Sequence, residues 1–282
     1  MSDASDNHGD LPALLSPTDA SPFTPLSDES SEKEAPEPPQ GIERQEEDPA
    51  PAEEHELESE TEEKAPDRPS EYDTYLAACA MTRVNVRSGP TTASDILFTL
   101  KAGDSLPYLG KEGEWIMVQT QSGIGYLYGK YAFLAETSAA IESVIRAGLN
   151  KIGTPYEWGA PRLLTPSGAV NPYFTGKSFD CSSFVQYCYY VGCGIKLGNY
   201  TGSQADYTVG ERIHSYSSLR RGDFYFTGTG KISHVVIYLG GGYLLQTYSA
   251  NGGPVSVTTD ERWKAKFISG RRPDLCVVDQ FQ

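Results

Sequence analysis

The chain has 282 residues, and its 38 Asp and Glu against 23 Lys and Arg give a formal net charge of −15. The acidic excess belongs to residues 1–70, which carry 21 acidic and 4 basic residues, whereas residues 71–282 carry 17 and 19. Because the larger part is nearly neutral and lacks the clustered Lys and Arg of a nucleic-acid binder, the composition argues against a nucleic-acid partner.

Residues 1–70 are expected to form a disordered, Pro-rich acidic tail. They contain 11 of the 19 prolines and a single aromatic residue, Phe23. Such a segment cannot bury enough apolar surface to offset the entropy that is lost on ordering. The sequence shows no secretory signal peptide and no stretch near the roughly 20 apolar residues of a membrane span. We therefore expect a cytoplasmic protein, and the alternative is a secreted or wall-associated protein exported by another route.

Residues 72–136 are expected to fold as a small all-β barrel. Short segments rich in β-branched and aromatic residues alternate there with Gly, Pro, Asp and Ser. The predicted strands are Met81–Val86, Ile96–Leu100, Ser105–Leu109, Trp115–Thr120 and Gly125–Leu127. Strands of this length between turn residues are typical of a small barrel or sandwich.

Residues 137–282 are expected to form an α+β domain, in which helices come first and antiparallel strands follow. Apolar residues recur at helical spacing after Thr137 or Ser138, either of which is a suitable N-cap, and Gly153 is expected to stop this first helix. The predicted strands are Asp223–Phe226, His234–Leu239 and Tyr243–Tyr248.

Cys181 is the candidate nucleophile because it begins the second predicted helix. Asp180 is a suitable N-cap for this helix, and Gly192 and Gly194 are expected to end it. Unpaired backbone N–H groups and the helix dipole stabilise a thiolate at such a position. The alternative is that Cys181 is a buried small hydrophobe, as most free cysteines are. The remaining cysteines fit that alternative, and the odd total does not suggest a disulfide framework: Cys79, Cys188, Cys193 and Cys276.

His234 is the candidate base for this thiol. Of the four histidines, His8 and His55 lie in the acidic tail, and His214 lies in a polar section where a surface histidine is the simpler interpretation. His234 begins an apolar strand, and an imidazole at a strand end can present one nitrogen to a thiolate while a third group holds the other. An ordinary strand-end histidine is the alternative.

Gln246 is the candidate third group. If the glycines 240–242 make a hairpin centred near Gly240, residues whose numbers sum to 480 face each other, and His234 then lies opposite Gln246. The side-chain carbonyl of a glutamine can accept a hydrogen bond from an imidazole N–H and thereby select the tautomer. Without that register Gln246 is only a polar residue on a strand.

Four segments in this order resemble the successive signatures of the NlpC-type peptidases, compact papain-like enzymes that cut the stem peptides of peptidoglycan. The segments are Gly153–Gly159, Phe179–Val185, Leu219–Phe226 and His234–Gly240. Within residues 72–136, the motifs Val84–Pro90 and Leu100–Gly103 and the strand that begins at Trp115 resemble bacterial SH3-like domains. In such relatives this module binds wall peptide or shapes the neighbouring site, and simple packing against the next domain is an equal alternative.

The resemblance implies further site residues. Tyr156 matches a tyrosine near the nucleophile that could help stabilise the oxyanion, and its alternative is a packed aromatic residue. The candidate substrate-binding residues are Asp180, Ser182, Thr201 and Trp158. In relatives with an SH3-like domain, the positions of Asp180 and Ser182 contact the amino end of the stem peptide, where a carboxylate would pair with a free ammonium.

The chain departs from the family pattern in two places. Those relatives tend to show an arginine and an acidic residue where this chain has Asn199, Tyr200 and Thr201, which leaves the requirement for a free amino terminus open. The segment Pro161–Lys177 is longer than the family link and could reshape the cleft.

The resemblance implies a cysteine peptidase that hydrolyses the bond between γ-D-glutamate and the diamino acid of a peptidoglycan stem peptide or muropeptide. No cofactor is expected, and the absence of HExxH and of paired Cys or His at zinc-ligand spacing predicts no metal. We expect a monomer. Two alternatives stay open, namely a catalytically inactive wall-binding protein and an acyltransferase that uses the same thiol.

Overall fold

The computed structural model describes residues 73–248 and 253–275 of the chain. The acidic tail predicted at residues 1–70 lies outside the described residues, as do His8, His55 and Cys276. Among the helices in the described ranges, none combines the length and apolar character needed to cross a membrane.

The first part of the described chain is a seven-stranded antiparallel sheet. Its strands are β1 (Tyr75–Ala80), β2 (Val84–Arg87), β3 (Ile96–Leu100), β4 (Ser105–Glu112), β5 (Trp115–Thr120), β6 (Gly123–Tyr128) and β7 (Ala132–Thr137). They lie in the order β3-β2-β6-β5-β4-β1-β7. The five predicted strands are each present, whereas β1 and β7 were not predicted. The alanine-rich β1 has weak intrinsic β propensity, and it forms because β4 and β7 pair with its two edges.

Side chains along the strands point alternately inward and outward, and the inward ones form the core of this small domain. Val84 and Val86 point inward and are buried, while Asn85 and Arg87 between and after them are partly exposed. The core residues are Ala78, Ala80, Val84, Val86, Leu100, Ile116, Val118 and Leu127. This is the small all-β domain that the sequence predicts.

Two helices follow the barrel, and their starts agree with the predicted caps. Helix α1 (Ala139–Leu149) begins after Ser138, whose hydroxyl accepts a hydrogen bond from the amide of Ile141. Helix α2 (Cys181–Cys193) begins after Asp180, and Asp180 and Ser183 form a reciprocal capping box. A side-chain acceptor at the N-cap is typically worth about 1 kcal/mol to helix stability.

The end of α2 differs from the prediction at one glycine. Gly194 is the C-cap, with φ of 74° in the left-handed region, but Gly192 lies inside the helix. A Cβ on Gly192 would lie 2.4 Å from Val144 Cα, so this glycine lets α2 pack closely against α1. Gly192 therefore serves helix packing and does not terminate the helix.

The second sheet is antiparallel and has six strands. They are β8 (Glu211–Ile213), β9 (Phe224–Thr229), β10 (Lys231–Gly240), β11 (Tyr243–Tyr248), β12 (Gly253–Thr259) and β13 (Phe267–Arg272), in the order β12-β11-β10-β9-β13-β8. Two short helices, α3 (Thr201–Ala205) and α4 (Glu261–Lys264), lie in the connections. The three predicted strands correspond to β9, β10 and β11, and the α+β class is confirmed. Helices α1 and α2 pack against this sheet around a core that includes Val144, Phe184, Cys188, Ile237 and Leu245.

A buried ion pair joins the barrel, α1 and the second sheet. The fully buried Arg221 side chain contacts Glu142 on α1, with Nε 2.6 Å from Oε1 and Nη2 2.9 Å from Oε2. Arg221 also donates to the carbonyls of Gly103 and Leu239. Ser105 of the barrel donates to the same Glu142 carboxylate at 2.6 Å. These contacts tie the small domain to the second sheet.

Candidate active site

Cys181 occupies the first position of α2, as predicted. Its side chain is buried, with 7% of the residue exposed. Asp180 caps the helix ahead of it, and the small residues Ser182 and Ser183 follow it in the first turn. Backbone N–H groups in the first turn of a helix lack intrahelical acceptors, so the surroundings of Cys181 are rich in donors for a developing negative charge.

His234 lies near the start of the regular part of β10, and Gln246 lies on the neighbouring β11. The two side chains form a hydrogen bond in which His234 Nε2 is 2.8 Å from Gln246 Oε1. The Gln246 amide nitrogen donates to Thr258 Oγ1 at 2.6 Å, which directs the amide oxygen toward the imidazole. An oxygen can only accept here, so Nε2 carries the proton and Nδ1 is left as the basic nitrogen.

The contact between His234 and Gln246 is present, but the register behind its prediction was wrong. Gly241 and Gly242, both with positive φ, form a two-residue turn, and a bulge follows Tyr238. The pairs Ile237–Leu245 and Tyr238–Leu244 sum to 482 and not to 480.

If the same register is continued to His234, this residue lies opposite Tyr248, and Gln246 is the diagonal neighbour of His234. The expected and the observed sums are both even, so His234 and Gln246 still face the same side of the sheet. Diagonal neighbours on one face lie about 7–8 Å apart, within reach of a long side chain such as glutamine.

The thiol and the imidazole come from adjacent parts of the structure. The backbone of Val235, the residue after His234, lies close enough to the Cys181 sulfur to lower the pKa of the thiol by hydrogen bonding. The start of α2 therefore lies against β10 at the point where β10 presents its histidine. Helix α2 and β10 are separated in sequence, so the tertiary fold is what places the two groups in one site.

Burial decides the charge states of the two groups. Burial raises the pKa of the Cys181 thiol to about 11, although hydrogen bonds from the Val235 and Ser182 amides oppose the rise. Burial also lowers the pKa of the His234 imidazole to about 4, although the hydrogen bond to Gln246 opposes this change. Desolvation thus opposes the stabilisation of the thiolate that the helix start was expected to give. At neutral pH the site holds a neutral thiol beside a neutral imidazole.

Sequence reasoning missed the ring that covers His234. Trp263 of α4 packs against the imidazole in a tilted arrangement, with ring centroids 4.5 Å apart and planes inclined by 35°. Arg262 lies over the Trp263 ring, 4.9 Å from its centroid, and its charge further lowers the pKa of His234. No sequence pattern near Trp263 predicts this contact, since the tryptophan follows the histidine by some thirty residues. The contact forms because the chain after β12 brings α4 back to β10.

The other residues that the resemblance implied lie around the start of α2. Tyr156 is half-buried, and its backbone forms a parallel bridge with Phe179, two residues before the nucleophile. Trp158 is 84% exposed. Thr201 is the first residue of α3, which contacts α2 and β10. The structure thus brings Tyr156 and Thr201 to the elements that carry Cys181 and His234.

Asp180 and Ser182 are buried and lie beside the nucleophile, but Asp180 already has a cationic partner. Arg162 Nη2 is 2.8 Å from Asp180 Oδ2 and 3.2 Å from Ser182 Oγ. Arg162 comes from the segment Pro161–Lys177, which is longer than the corresponding link of the family. Its role in neutralising Asp180 was not predicted.

The residues set aside in the sequence analysis lie away from this arrangement or in the core. His214 is exposed and follows β8. Cys188 is fully buried among apolar side chains, and Cys79 is buried in β1. Cys193, at the end of α2, donates to the carbonyl of Tyr189.

Comparison with known proteins identifies two segments. Residues 153–272 match the family model of the NlpC/P60 family, and residues 82–132 match the model of the bacterial SH3 domain. The first segment contains every predicted catalytic residue. The second lies within the seven-stranded barrel.

Several peptidoglycan endopeptidases are similar to this chain. RipA of Mycobacterium tuberculosis is 45% identical over 107 residues, which are 38% of this chain and 22% of RipA. The DL-endopeptidase CwlO of Bacillus licheniformis is 34% identical over 143 residues, which are 50% of this chain and 29% of CwlO. The crystal structure of a P60 domain from a Mycobacterium avium subspecies paratuberculosis antigen is 33% identical, with 47% of this chain and 93% of that domain covered and a TM-score of 0.38. The chain spans 22% to 49% of the length of these curated relatives and of RipB.

Proposed function

Since the chain carries an NlpC/P60 domain at residues 153–272 behind a bacterial SH3 domain at residues 82–132, we propose that it is a cysteine peptidase of peptidoglycan stem peptides. The bond that it hydrolyses is the one between γ-D-glutamate and the diamino acid. Cys181 is the nucleophile, His234 is the base and Gln246 orients the base. The catalytic domain is taken as residues 137–282 and the barrel as residues 72–136.

The observation that carries this proposal is the pairing of Cys181 with the start of β10. The Cys181 sulfur contacts the Val235 amide, and the preceding residue His234 is held by Gln246 through Nε2. The proposed nucleophile therefore lies beside the residue that follows the proposed base, and the base is bonded to its orienting group, in keeping with the arrangement that thiol catalysis requires. Relatives named as peptidoglycan endopeptidases support the substrate class.

The reaction begins with a neutral thiol, because the pKa of Cys181 is about 11 and that of His234 about 4. As the sulfur attacks the carbonyl carbon, its proton passes to His234 Nδ1, and the carbonyl oxygen becomes an oxyanion. The imidazolium then gives this proton to the leaving amino group of the diamino acid, and the C–N bond breaks. A thioester on Cys181 remains.

Water completes the cycle. His234 Nδ1 takes one proton from water as its oxygen attacks the thioester, and the proton returns to the Cys181 sulfur when the C–S bond breaks. The products are a γ-D-glutamyl carboxylate and an amine, with the protein unchanged. Gln246 keeps the proton on Nε2 throughout, so Nδ1 is available in both steps.

The oxyanion is stabilised at the start of α2. The backbone N–H of Cys181 lies in the first helical turn, where amides lack an intrahelical acceptor. The hydroxyl of Tyr156, whose backbone is bridged to Phe179, is the proposed second donor. Removal of one such donor typically costs roughly 10²–10³-fold in kcat.

The test is hydrolysis of a purified L-Ala-γ-D-Glu-diamino acid peptide, followed by mass spectrometry. Cys181→Ala and His234→Ala are each expected to abolish release of the diamino acid, because each removes a group that the chemistry needs. His214→Ala is the matched control, since His214 is exposed and its replacement is expected to leave turnover unchanged. Undiminished turnover in Cys181→Ala would refute the assignment.

Binding without turnover in the wild type would support the wall-binding alternative, and capture of an added amine in the product would support acyl transfer.

The compartment is part of the proposal. Cytoplasmic recycling of imported muropeptides stays the first prediction, and action at the cell wall is the alternative that the peptidoglycan endopeptidase relatives favour. Fractionation of cells with an antibody against the chain distinguishes the two compartments.

A further inference from the structure

Strand β3 is an open edge of the seven-stranded sheet. It pairs with β2 on one side and stands at the end of the strand order, so its other side meets no strand of the described chain. The opposite end of the sheet is β7, whose Phe133 stacks on Tyr243 of β11 with ring centroids 6.0 Å apart. The second domain therefore packs against β7, whereas the backbone groups along the outer side of β3 can pair with another strand.

The side chains of β3 are apolar for an exposed edge. Ile96, Leu97 and Phe98 follow one another and are 52%, 41% and 37% exposed. Natural edges are protected against pairing by a Lys or Pro, by a short strand or by a bulge. Between Asp95 and Lys101 there is neither Lys nor Pro, and the protection is limited to a length of five residues and a bulge at Leu97. Such an edge predicts a contact with another chain.

The charges at the two ends of β3 identify the partner. Asp95 precedes the strand and Lys101 follows it, and both residues are exposed. If two antiparallel copies of β3 meet at a two-fold axis through Phe98, residues whose numbers sum to twice 98, which is 196, lie opposite each other. Asp95 of each copy then faces Lys101 of the other copy. Opposite charges in opposed positions stabilise an antiparallel pair of strands.

The apolar side chains of β3 fit the same register. The two Phe98 rings lie next to each other at the axis, on one face of the combined sheet, where an aromatic pair is favourable. Ile96 then faces Leu100 of the other copy. A strand with charges of one sign would match one end of β3 and be repelled at the other end. A second copy of the chain matches both ends.

We propose that β3 is a self-association surface, through which two copies of the chain pair edge to edge in a two-fold symmetric dimer centred on Phe98 and flanked by two ion pairs between Asp95 and Lys101. The two seven-stranded sheets then form one continuous sheet. Two strands of five residues make a small contact beside the roughly 1,200–2,000 Å² of a stable interface, so the dimer is weak. The surface contains none of the candidate catalytic residues, and the inference is independent of the proposed function.

The experiment is analytical ultracentrifugation of the full chain from about 1 μM to about 1 mM, the range in which weak dimers form. The average mass of the wild type is expected to rise with concentration toward twice that of the monomer. Asp95→Lys places two lysines opposite each other, and Lys101→Asp places two aspartates opposite each other. Each variant is expected to raise the dissociation constant of the dimer by at least about tenfold, because two attractive pairs become repulsive.

Two rescue measurements separate this register from the net charge. In an equimolar mixture of Asp95→Lys and Lys101→Asp, a heterodimer opposes a lysine to an aspartate at both ends, so association is expected to return. The double variant Asp95→Lys, Lys101→Asp keeps the wild-type net charge of −15 and reverses both ion pairs, and it is expected to dimerise as the wild type does. General repulsion between acidic chains predicts the opposite for Asp95→Lys alone, since that variant is less acidic.

A further pair of variants tests the edge itself. Leu97→Lys puts a charge into β3 and is expected to abolish the dimer. Leu109→Lys is the matched control, because Leu109 is 47% exposed and also lies at a bulge, but on β4, which is paired on both sides. It is expected to leave the dimer intact. A wild type that stays monomeric throughout the series, or association that persists in both single charge variants, would overturn the proposal.

Discussion

Gln246 holds the His234 imidazole from a diagonal position on the neighbouring strand, with Oε1 2.8 Å from Nε2. The amide of Gln246 is itself directed by Thr258 of β12, at 2.6 Å. Three adjacent strands of one sheet therefore determine which imidazole nitrogen carries the proton. The sheet is the rigid frame of the proposed base, and Cys181 lies at the start of α2, which packs against β10.

Substitution of Gln246 should move the acid limb of the pH profile in a direction set by charge. In Gln246→Glu, a carboxylate beside Nε2 favours the imidazolium, so the pKa of His234 should rise from about 4 and activity should be lost at a higher pH. In Gln246→Ala, the hydrogen bond that opposes the burial effect is lost, so this limb should not move upward. Its kcat should fall by less than the roughly 10²–10⁴-fold that a general base contributes. The measurement is kcat/KM as a function of pH for both variants and the wild type. An acid limb of Gln246→Glu identical to that of the wild type would show that Gln246 does not act on His234.

The lowered pKa of His234 should make stability depend on pH. Between about pH 6.5 and about pH 4 the unfolded chain binds a proton at His234 and the native protein does not. The free energy of unfolding is therefore highest above the pKa of the unfolded chain. It falls by about 3 kcal/mol in total as the pH drops through this window. Urea unfolding of the wild type and His234→Phe across the window should show the smaller pH dependence in the variant.

The exposed His214 supplies the control for this measurement. His214→Ala should follow the pH dependence of the wild type, because the variant keeps the buried imidazole. Parallel curves for the wild type and His234→Phe would mean that the native imidazole titrates as it does in the unfolded chain.

The thiol of Cys181 should react slowly at neutral pH. Because its pKa is about 11, alkylation by iodoacetamide should accelerate with pH through the neutral range and beyond. Peptide mapping by mass spectrometry measures modification at this residue, and Cys181→Ala identifies the background from the remaining cysteines. A rate that is already constant at neutral pH would reveal a thiolate formed before substrate binds.

Removal of one partner from the Arg221–Glu142 pair should be strongly destabilising. Arg221→Met or Glu142→Gln leaves its partner buried without a countercharge, and the free energy of unfolding should fall by about 3–5 kcal/mol. The double variant Arg221→Met, Glu142→Leu should lose less than the sum of the single variants, because no unpaired charge remains. Urea unfolding measures all three.

A second ion pair gives a matched control for that experiment. Glu211 pairs with Arg272 at 2.5 Å, but its side chain is 58% exposed. Glu211→Gln should therefore change stability by less than about 1 kcal/mol. Additive losses in the double variant of the buried pair would argue that Arg221 and Glu142 act independently.

Features that depend on neighbours along the chain could be predicted from the sequence. The start of α2 at Cys181 follows from the capping of the helix by Asp180 and Ser183. His234 and Gln246 face the same side of the sheet in both the expected and the observed register of β10 and β11, because the two registers differ by two residues. Caps and side-chain alternation are local, because their partners lie within a few residues. The candidate thiol, base and orienting residue could for this reason be predicted from the sequence.

Features whose partners are distant in the chain depend on the tertiary fold. The packing of Trp263 against His234 and the neutralisation of Asp180 by Arg162 join segments that no periodicity links. The charge states of Cys181 and His234 were also decided there, since both follow from burial, which arises only when α2 packs on the sheet. A sequence specifies which donors and charges exist, but desolvation and pairing between distant segments depend on where the whole fold places them.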